Sequence, residues 1–426
     1  MQQFTGLIGI ILILGIAFLF SNNKRCINLR LVFSGLALQI IIAILVFKVP
    51  PVNKFFQILG KGMGKIEGFA KQGASFVYGG ISAVDNNGNN VNYSAPGTFV
   101  FAFNITATII LVCVLVAIFY YLGIMQRIVS IIARAMNFVM RVSGAEALSN
   151  VASAFVGQVE AQVMIRPYLP TMTKSELLAS MSGSLACIAG GILIVYATMG
   201  QRAGMDITPQ LIAASLMAAP GALVISKIVF PETEESVTMG KVKLEVKSGY
   251  SNLIDAISHG AADGFKISMN VIAMLIGFIA LIAFIDWSLI HIGHLFNPNS
   301  NLTLNYLFSK LFYPFAWAMG VPAQDVNNAA TLLGQKITIN EFVAFSKLTS
   351  HELPIVTPKG LTIITVAICG FANFSSVGMQ IGGIGALAPE RRADLAKLGM
   401  KALLCGTLAS YLSATIAGIL VDCHPF

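Results

Sequence analysis

The chain has 426 residues, of which 56% are hydrophobic and only 11% charged. Soluble domains carry about a quarter charged residues, so this composition excludes an ordinary soluble globule and implies a polytopic membrane protein. The net charge of +8 gathers in short connecting segments, not in one basic stripe, which suits membrane topology and excludes a nucleic-acid surface.

In chain order, MQQFTGLIGIILILGIAFLFSNNKRC comes first. It lacks a basic leading region and a small-residue cleavage site, so it is expected to stay as a first helix. A bilayer span needs about 20 apolar residues. The clean candidates are 5–21, 30–49, 98–122, 208–230, 268–290 and 402–421, and 176–199 and 361–386 are interrupted by Gly, Ser and Asn. That makes about eight spans in an all-α membrane protein.

Cations follow the first span (Lys24, Arg25, Arg30), the third (Arg127, Arg134, Arg141) and the seventh (Arg391, Arg392, Lys397, Lys401). These ends are expected in the cytoplasm, with both termini outside. Residues 50–71 carry Lys54, Lys61, Lys65 and Lys71 among apolar residues at helical spacing, the pattern of an amphipathic helix in the interface. Segments 125–140 and 252–267 read alike. The stretch 84–97 reads as a polar external loop, and 231–251 as a flexible cytoplasmic connection. The six cysteines, Cys26, Cys113, Cys187, Cys369, Cys405 and Cys423, form no CxxC pair or Cys/His cluster, and the five histidines are dispersed. Neither a disulfide framework nor a metal site is expected.

Two regions match each other. In the first, 145–199, GQVEAQVMIRPYLP embeds a carboxylate in apolar sequence; TKSEL then supplies a helix start, with Thr173 as N-cap and Glu176 three positions on. The span that follows is broken at ACIAGG. In the second, 303–386, an apolar stretch is broken by GVPAQDVNN, ITINEFVAF follows, and the next span is broken at CGFANFSS. Gln158 precedes ACIAGG by 28 residues and Glu341 precedes FANFSS by 30. Paired, interrupted segments in two halves imply an inverted repeat with a binding site at the membrane midplane. A charge at the bilayer centre costs about 2.5–3.5 kcal/mol even on lenient scales, so Glu160 and Glu341 should pair with or bind something. The plainer readings are an ion pair of Glu160 with Arg166, a rim position for Glu341 near Lys336 or Lys347, and helix–helix hydrogen bonds for Asn373, Ser375 and Ser376. Asp325 reads as a turn residue within the second hairpin.

GQVEA with RPYLP, then INEFVAF, then CGFANFSS, in that order and spacing, resemble the concentrative nucleoside transporter family. The likeness runs from NNKRCINLR to SATIAGIL. It implies a homotrimer in a bacterial inner membrane, each protomer with eight transmembrane helices, two re-entrant hairpins and three interfacial helices, and ion-coupled nucleoside uptake by an elevator-like movement. On that reading 1–142 and 231–302 hold scaffold helices, 143–230 and 303–390 the two halves of a transport domain, and 391–426 the last helix. The resemblance places Gln158 and Glu160 at the nucleobase, with Val159 where many members have threonine. It places Glu341, Asn373 and Ser376 at the ribose hydroxyls, and Phe371 and Ile192 in packing contact with the substrate. A carboxylate suits the donor-rich ribose diol, and an amide beside a carboxylate can read a base edge.

Sodium-coupled relatives hold the ion with an asparagine, a serine and carbonyls between the first hairpin and the next helix. The corresponding positions are Ser153, Cys187 and the carbonyls of Val156 and Ile188. A thiol is a poor ligand for a hard cation, so proton coupling through Glu341 or Glu160 is the expectation and sodium the alternative. No other cofactor is implied. A carrier of a nucleobase or a dicarboxylate is the rival, but a dicarboxylate would call for deep cations where this chain has acids. A channel is also weighed, but two broken, carboxylate-bearing hairpins favour alternating access. A membrane-embedded enzyme would need a nucleophile with its base, or a metal set; there is no HExxH, GxSxG or histidine cluster, so no enzyme is expected.

Overall fold

The structure, a computed structural model, describes residues 2–78, 82–84, 90–92, 101–239, 250–297 and 302–421. Most of the loop expected at 84–97, residues 240–249 of the expected cytoplasmic connection, and Cys423 lie outside them. The chain opens with α1 (Gln2–Leu19) and α2 (Leu29–Lys48), the latter capped by the Asn28 side chain. Next, α3 (Pro50–Tyr78) starts on two prolines, which suit a first helical turn. A two-stranded antiparallel hairpin follows, β1 (Ser82–Val84) with β2 (Asn90–Asn92).

Helices α4 (Phe101–Tyr121) and α5 (Ile124–Met140) meet at a 75° bend. Met125, Val129, Ala133, Met136 and Met140 line the buried face of α5, while Ile131 and Phe138 stay exposed.

The first hairpin is α6 (Gly144–Ser153), a non-helical tip, and the short α7 (Glu160–Val163). The next span is split into α8 (Lys174–Ala186) and α9 (Gly190–Arg202), followed by the almost wholly buried α10 (Thr208–Val229). Segment 252–267 is not a separate interfacial helix. It forms the first turns of α11 (Leu253–Phe296), 44 residues without a break. No proline interrupts it, and Gly260 and Gly264 lie directly on α4. A Cβ on Gly260 would sit 2.8 Å from the Cys113 carbonyl oxygen, and one on Gly264 would sit 2.6 Å from Ile110 Cα. Small residues four apart let two helices approach this closely.

The second region runs through α12 (Leu304–Leu311), α13 (Tyr313–Ala318), α14 (Val326–Thr338) and α15 (Glu341–Thr349). The second hairpin therefore turns at Ile339–Asn340, and GVPAQDVNN is its entry, not its tip. Asn340 makes the turn by capping α15, accepting from Val343 N at 2.9 Å. The last span pair is α16 (Pro358–Ile368) and α17 (Phe374–Leu387), broken between them, and α18 (Arg392–Leu420) closes the chain.

Helices α8, α10, α16 and α18 pack on one another as the core. Gln39 of α2 ties in from outside, donating 3.0 Å hydrogen bonds to the Met217 carbonyl and the Ser413 hydroxyl. Such buried polar contacts replace the hydrophobic drive that lipid removes. Among the described residues, five helices or broken pairs are long and apolar enough to cross a membrane, and the bent α4–α5 pair makes a sixth.

Candidate functional site

Each hairpin is pinned at its base. Ser143 and Glu146 form a capping box at the start of α6. The Glu146 carboxylate also meets Lys227 of α10 at 2.8 Å. Lys227 in turn reaches Glu232 at 3.1 Å and donates to Ser175 of α8 at 2.9 Å. Thr173 and Glu176 cap α8 by the same box that the sequence implies. At the hairpin's exit, Arg391 Nη1 donates to the carbonyls of Leu169, Pro170 and Met172 at 3.2, 3.0 and 2.6 Å.

The second hairpin is pinned by Asp325. Its carboxylate accepts from the backbone of Val356 and Thr357, at 2.9 and 3.1 Å, and from the Thr357 hydroxyl. Asp325 is thus a turn residue that also holds the start of α16.

The broken spans interlock through backbone. Phe371 N donates to the Cys187 carbonyl at 3.3 Å, and Gly190 N donates to the Phe155 carbonyl at 3.1 Å. Gly370 has φ +152°, and a Cβ there would lie 2.4 Å from the Ala186 carbonyl oxygen. Gly157, at the first tip, has φ +129° with the Glu160 carboxylate where a Cβ would go. Both positions require glycine.

Between these breaks sits a buried polar cluster. Glu341 accepts from the Tyr196 hydroxyl at 3.2 Å and from Asn373 Nδ2 at 3.0 Å. Asn373 caps α17 by accepting from Ser376 N at 2.8 Å. Glu341, Asn373 and Ser376, expected together from sequence, are brought together and buried, and Phe371 is half-buried beside the break. Glu341 is no rim residue. Two neighbours escaped notice. Tyr196 stacks on Phe345 with ring centres 4.2 Å apart; only its place one turn beyond Ile192 on α9 could have flagged it. Lys336 is 0% exposed, its Nζ has no hydrogen-bond partner among the described residues, and its charge acts on Glu341 and Cys369.

The other expected site residues face elsewhere. Glu160, Ile192 and Val156 line a cavity of about 480 Å³ bounded also by α4 and α11. Glu160 opens into it and makes no ion pair with Arg166; its carboxylate accepts from its own backbone N–H and that of Val159. Gln158 is buried, its Nε2 3.9 Å from Met379 Sδ and its Oε1 without a hydrogen-bond partner among the described residues. Val159 packs against Gly383 of α17.

Of the ion-coupling positions, Ser153 and Cys187 are engaged through their side chains, while Val156 and Ile188 would offer backbone carbonyls. Ser153 donates to the Ser149 carbonyl at 2.8 Å and meets Ser184 Oγ at 2.8 Å. Gln162 Nε2 donates to Ser184 at 2.8 Å and its Oε1 accepts from Ser180 at 2.7 Å. Cys187 Sγ lies 3.9 Å from the Asn150 carbonyl. One engaged hydroxyl and one thiol fit a hard cation poorly. Among the described residues no group of three His, Cys, Asp or Glu side chains could hold a metal ion.

Three family models match this chain: a Na⁺-dependent nucleoside transporter N-terminus over 8–81, a nucleoside-recognition "Gate" over 102–203, and a Na⁺-dependent nucleoside transporter C-terminus over 210–418. The nucleoside permease NupC of Helicobacter pylori is 36% identical, over 97% of this chain and 97% of its own length. Sodium/nucleoside cotransporter 1 of Mus musculus is 35% identical over 99% of this chain and 65% of its own. Among solved structures, CNTnw in an inward-facing substrate-bound state superposes with a TM-score of 0.88 at 36% identity, covering 99% of this chain and 98% of that one.

Proposed function

The chain belongs to the concentrative nucleoside transporter family, and we propose that it moves nucleosides inward by proton symport through an elevator-type cycle. It is an integral multi-pass protein of the bacterial inner membrane, a transporter and not an enzyme. The observation that carries the reading of the site is Glu341, a buried carboxylate at a hairpin tip whose hydrogen-bond partners are two neutral donors. A ribose diol offers the same two donors, so it can replace Tyr196 and Asn373 without leaving the carboxylate bare. Glu160, with Gln158 beside it, is assigned to the nucleobase, and Ile192 and Phe371 to apolar contact with the substrate. The unsatisfied amide oxygen of Gln158 suits a base N–H.

The coupling proton is assigned to Glu341 or Glu160, because a thiol, Cys187, stands where a hard cation wants an oxygen, and Ser153 is held in the Ser153–Ser184–Gln162–Ser180 network. Sodium coupling is the second reading, favoured by the description of the matching family models. The elevator reading draws on the pinning described above. Each hairpin is tied to the span after it, so hairpins and broken spans would travel together past α4 and α11. The exposed apolar side chains of α11, Ile276, Ile279 and Phe284 among them, suit the interface of the proposed homotrimer or lipid.

The test is radiolabelled uridine and adenosine uptake into proteoliposomes under separate sodium and proton gradients. Uptake should follow the proton gradient and fall sharply in Glu341→Gln and Glu160→Gln. Uptake that needs sodium and ignores the proton gradient rejects proton coupling; wild-type rates in both variants reject the site.

A further inference from the structure

The cavity that Glu160 faces has a second wall, which the hairpins do not supply. Tyr120 at the end of α4 and Tyr250, His259 and Asp263 at the start of α11 build it. The Tyr120 and Tyr250 rings meet edge-on, 6.4 Å between centres at 80°, and the Tyr250 and His259 rings lie 5.7 Å apart. His259 is engaged by Asp255 at 3.4 Å. Asp263, one turn further on, has no ion pair among the described residues, and its charge acts on Glu160. No lysine or arginine lines the cavity.

Two carboxylates facing one space without a cation between them repel anions and favour a neutral ligand rich in donors. Aromatic faces beside them suit a base, because every base has a face that stacks. The volume of about 480 Å³ falls within the usual range of roughly 300–1,000 Å³ for small-molecule sites. Glu341, Asn373 and Ser376 are not among its lining residues.

We propose that this scaffold wall is a second nucleoside station, in which the base stacks on the face of one of the tyrosines Tyr250 and Tyr120 and meets the edge of the other, Asp263 accepts ribose hydroxyls, and Glu160 is shared with the hairpin site. The proposal rests on the nucleoside reading above. It makes the cavity a filter as well: a nucleoside passes, and a nucleotide is repelled by the Glu160–Asp263 pair.

Equilibrium binding of radiolabelled uridine to the purified full-length protein tests it, with thermal unfolding of every variant to establish that it is folded. Glu341→Gln should weaken binding more than tenfold but leave a measurable residue. Adding Asp263→Asn or Tyr250→Ala to Glu341→Gln should weaken that residue at least a further tenfold, and uridine monophosphate should not compete for it. If Glu341→Gln abolishes binding, if neither added substitution changes the residue, or if the monophosphate competes as well as uridine, the station does not exist. If the wild type binds no nucleoside, the nucleoside reading falls and this inference falls with it; wild-type binding together with any of the three preceding results removes the station alone.

Discussion

If Glu341 accepts the ribose hydroxyls, substituting the residue and deleting a hydroxyl must interact. Glu341 now accepts two hydrogen bonds of 3.2 and 3.0 Å inside the protein. Hydrogen bonds to a charged group contribute about 1.5–3 kcal/mol each, against about 0.5–1.5 kcal/mol for neutral pairs. Glu341→Gln removes the charge and turns one acceptor oxygen into a donor nitrogen. With uridine, one hydroxyl then loses its acceptor and the other keeps a weaker one, a loss of about 3–4 kcal/mol. At 1.4 kcal/mol per decade, kcat/KM for uptake should fall about 10²- to 10³-fold. In the wild type, 2′-deoxyuridine or 3′-deoxyuridine should lose about 10- to 100-fold.

The cycle is read from initial uptake rates of uridine and each deoxynucleoside in proteoliposomes, for wild type and Glu341→Gln at matched protein content. For the hydroxyl that Glu341 holds, the two losses should not add. The deoxy substrate should be penalised far less in the variant, giving a coupling of about 1–2 kcal/mol. Losses that add within about 0.3–0.5 kcal/mol for both hydroxyls refute the assignment, however far Glu341→Gln lowers the uridine rate, because a merely structural carboxylate would lower all substrates alike.

Three further substitutions probe the frame. Gly370→Ala places a Cβ 2.4 Å from the Ala186 carbonyl in a strained backbone region; it should cost about 2–4 kcal/mol, seen as lost folded yield in size-exclusion thermal melts, and a wild-type melt would contradict the interlock. Glu146→Ala strands Lys227, 6% exposed, with the part-exposed Glu232 as its remaining carboxylate partner; it should destabilise by about 3–5 kcal/mol, whereas Glu146→Met with Lys227→Met should recover most of that, and a double variant as unstable as the single would reject the pair as an anchor. Lys336→Met in the Glu341→Gln background removes a buried amine that has no hydrogen-bond partner among the described residues and no longer has the Glu341 charge to act on; relative to Glu341→Gln it should leave the melt unchanged or raise it by the equivalent of about 1–3 kcal/mol, and a fall would show a partner other than Glu341.

What could be read from the sequence is what neighbours in sequence decide. Thr173 and Glu176 are three apart and make their capping box locally. The helix breaks at 187–189 and 369–373 follow from glycines and an asparagine that end and restart helices. The helix α5 and its one buried face follow from periodicity alone. The missed features need distant partners. Whether 252–267 stays apart or joins α11 depends on two glycines meeting α4. The tip of the second hairpin was drawn to the conspicuous proline and glycine of GVPAQDVNN, but Asn340 makes the turn with one side-chain bond. Arg391 reads as a loop cation, and its three carbonyl partners lie more than 200 residues upstream. The burial of Lys336 is not legible either, because a lysine is almost never fully buried and sequence does not show the space around it.

The two hairpins reach one mechanical result by different chemistry, and that bears on how the protein can move. The first hairpin is held by a buried ion pair to α10 and by Arg391 at its exit; the second is held by one carboxylate against the start of α16. Neither can swing about its base without leaving a buried charge or several backbone groups unpaired, at a cost of several kcal/mol. The breaks resist opening too, because Phe371 and Gly190 donate across them to other segments. By contrast, Glu160 faces α4 and α11 across an open cavity with no ion pair between them. On the elevator reading proposed above, the displacement runs along that boundary, with both hairpins and both broken spans on one side and Tyr120, Tyr250 and Asp263 on the other. On that reading a substrate carried with the hairpins passes that wall, and the residues that line it would select what is carried.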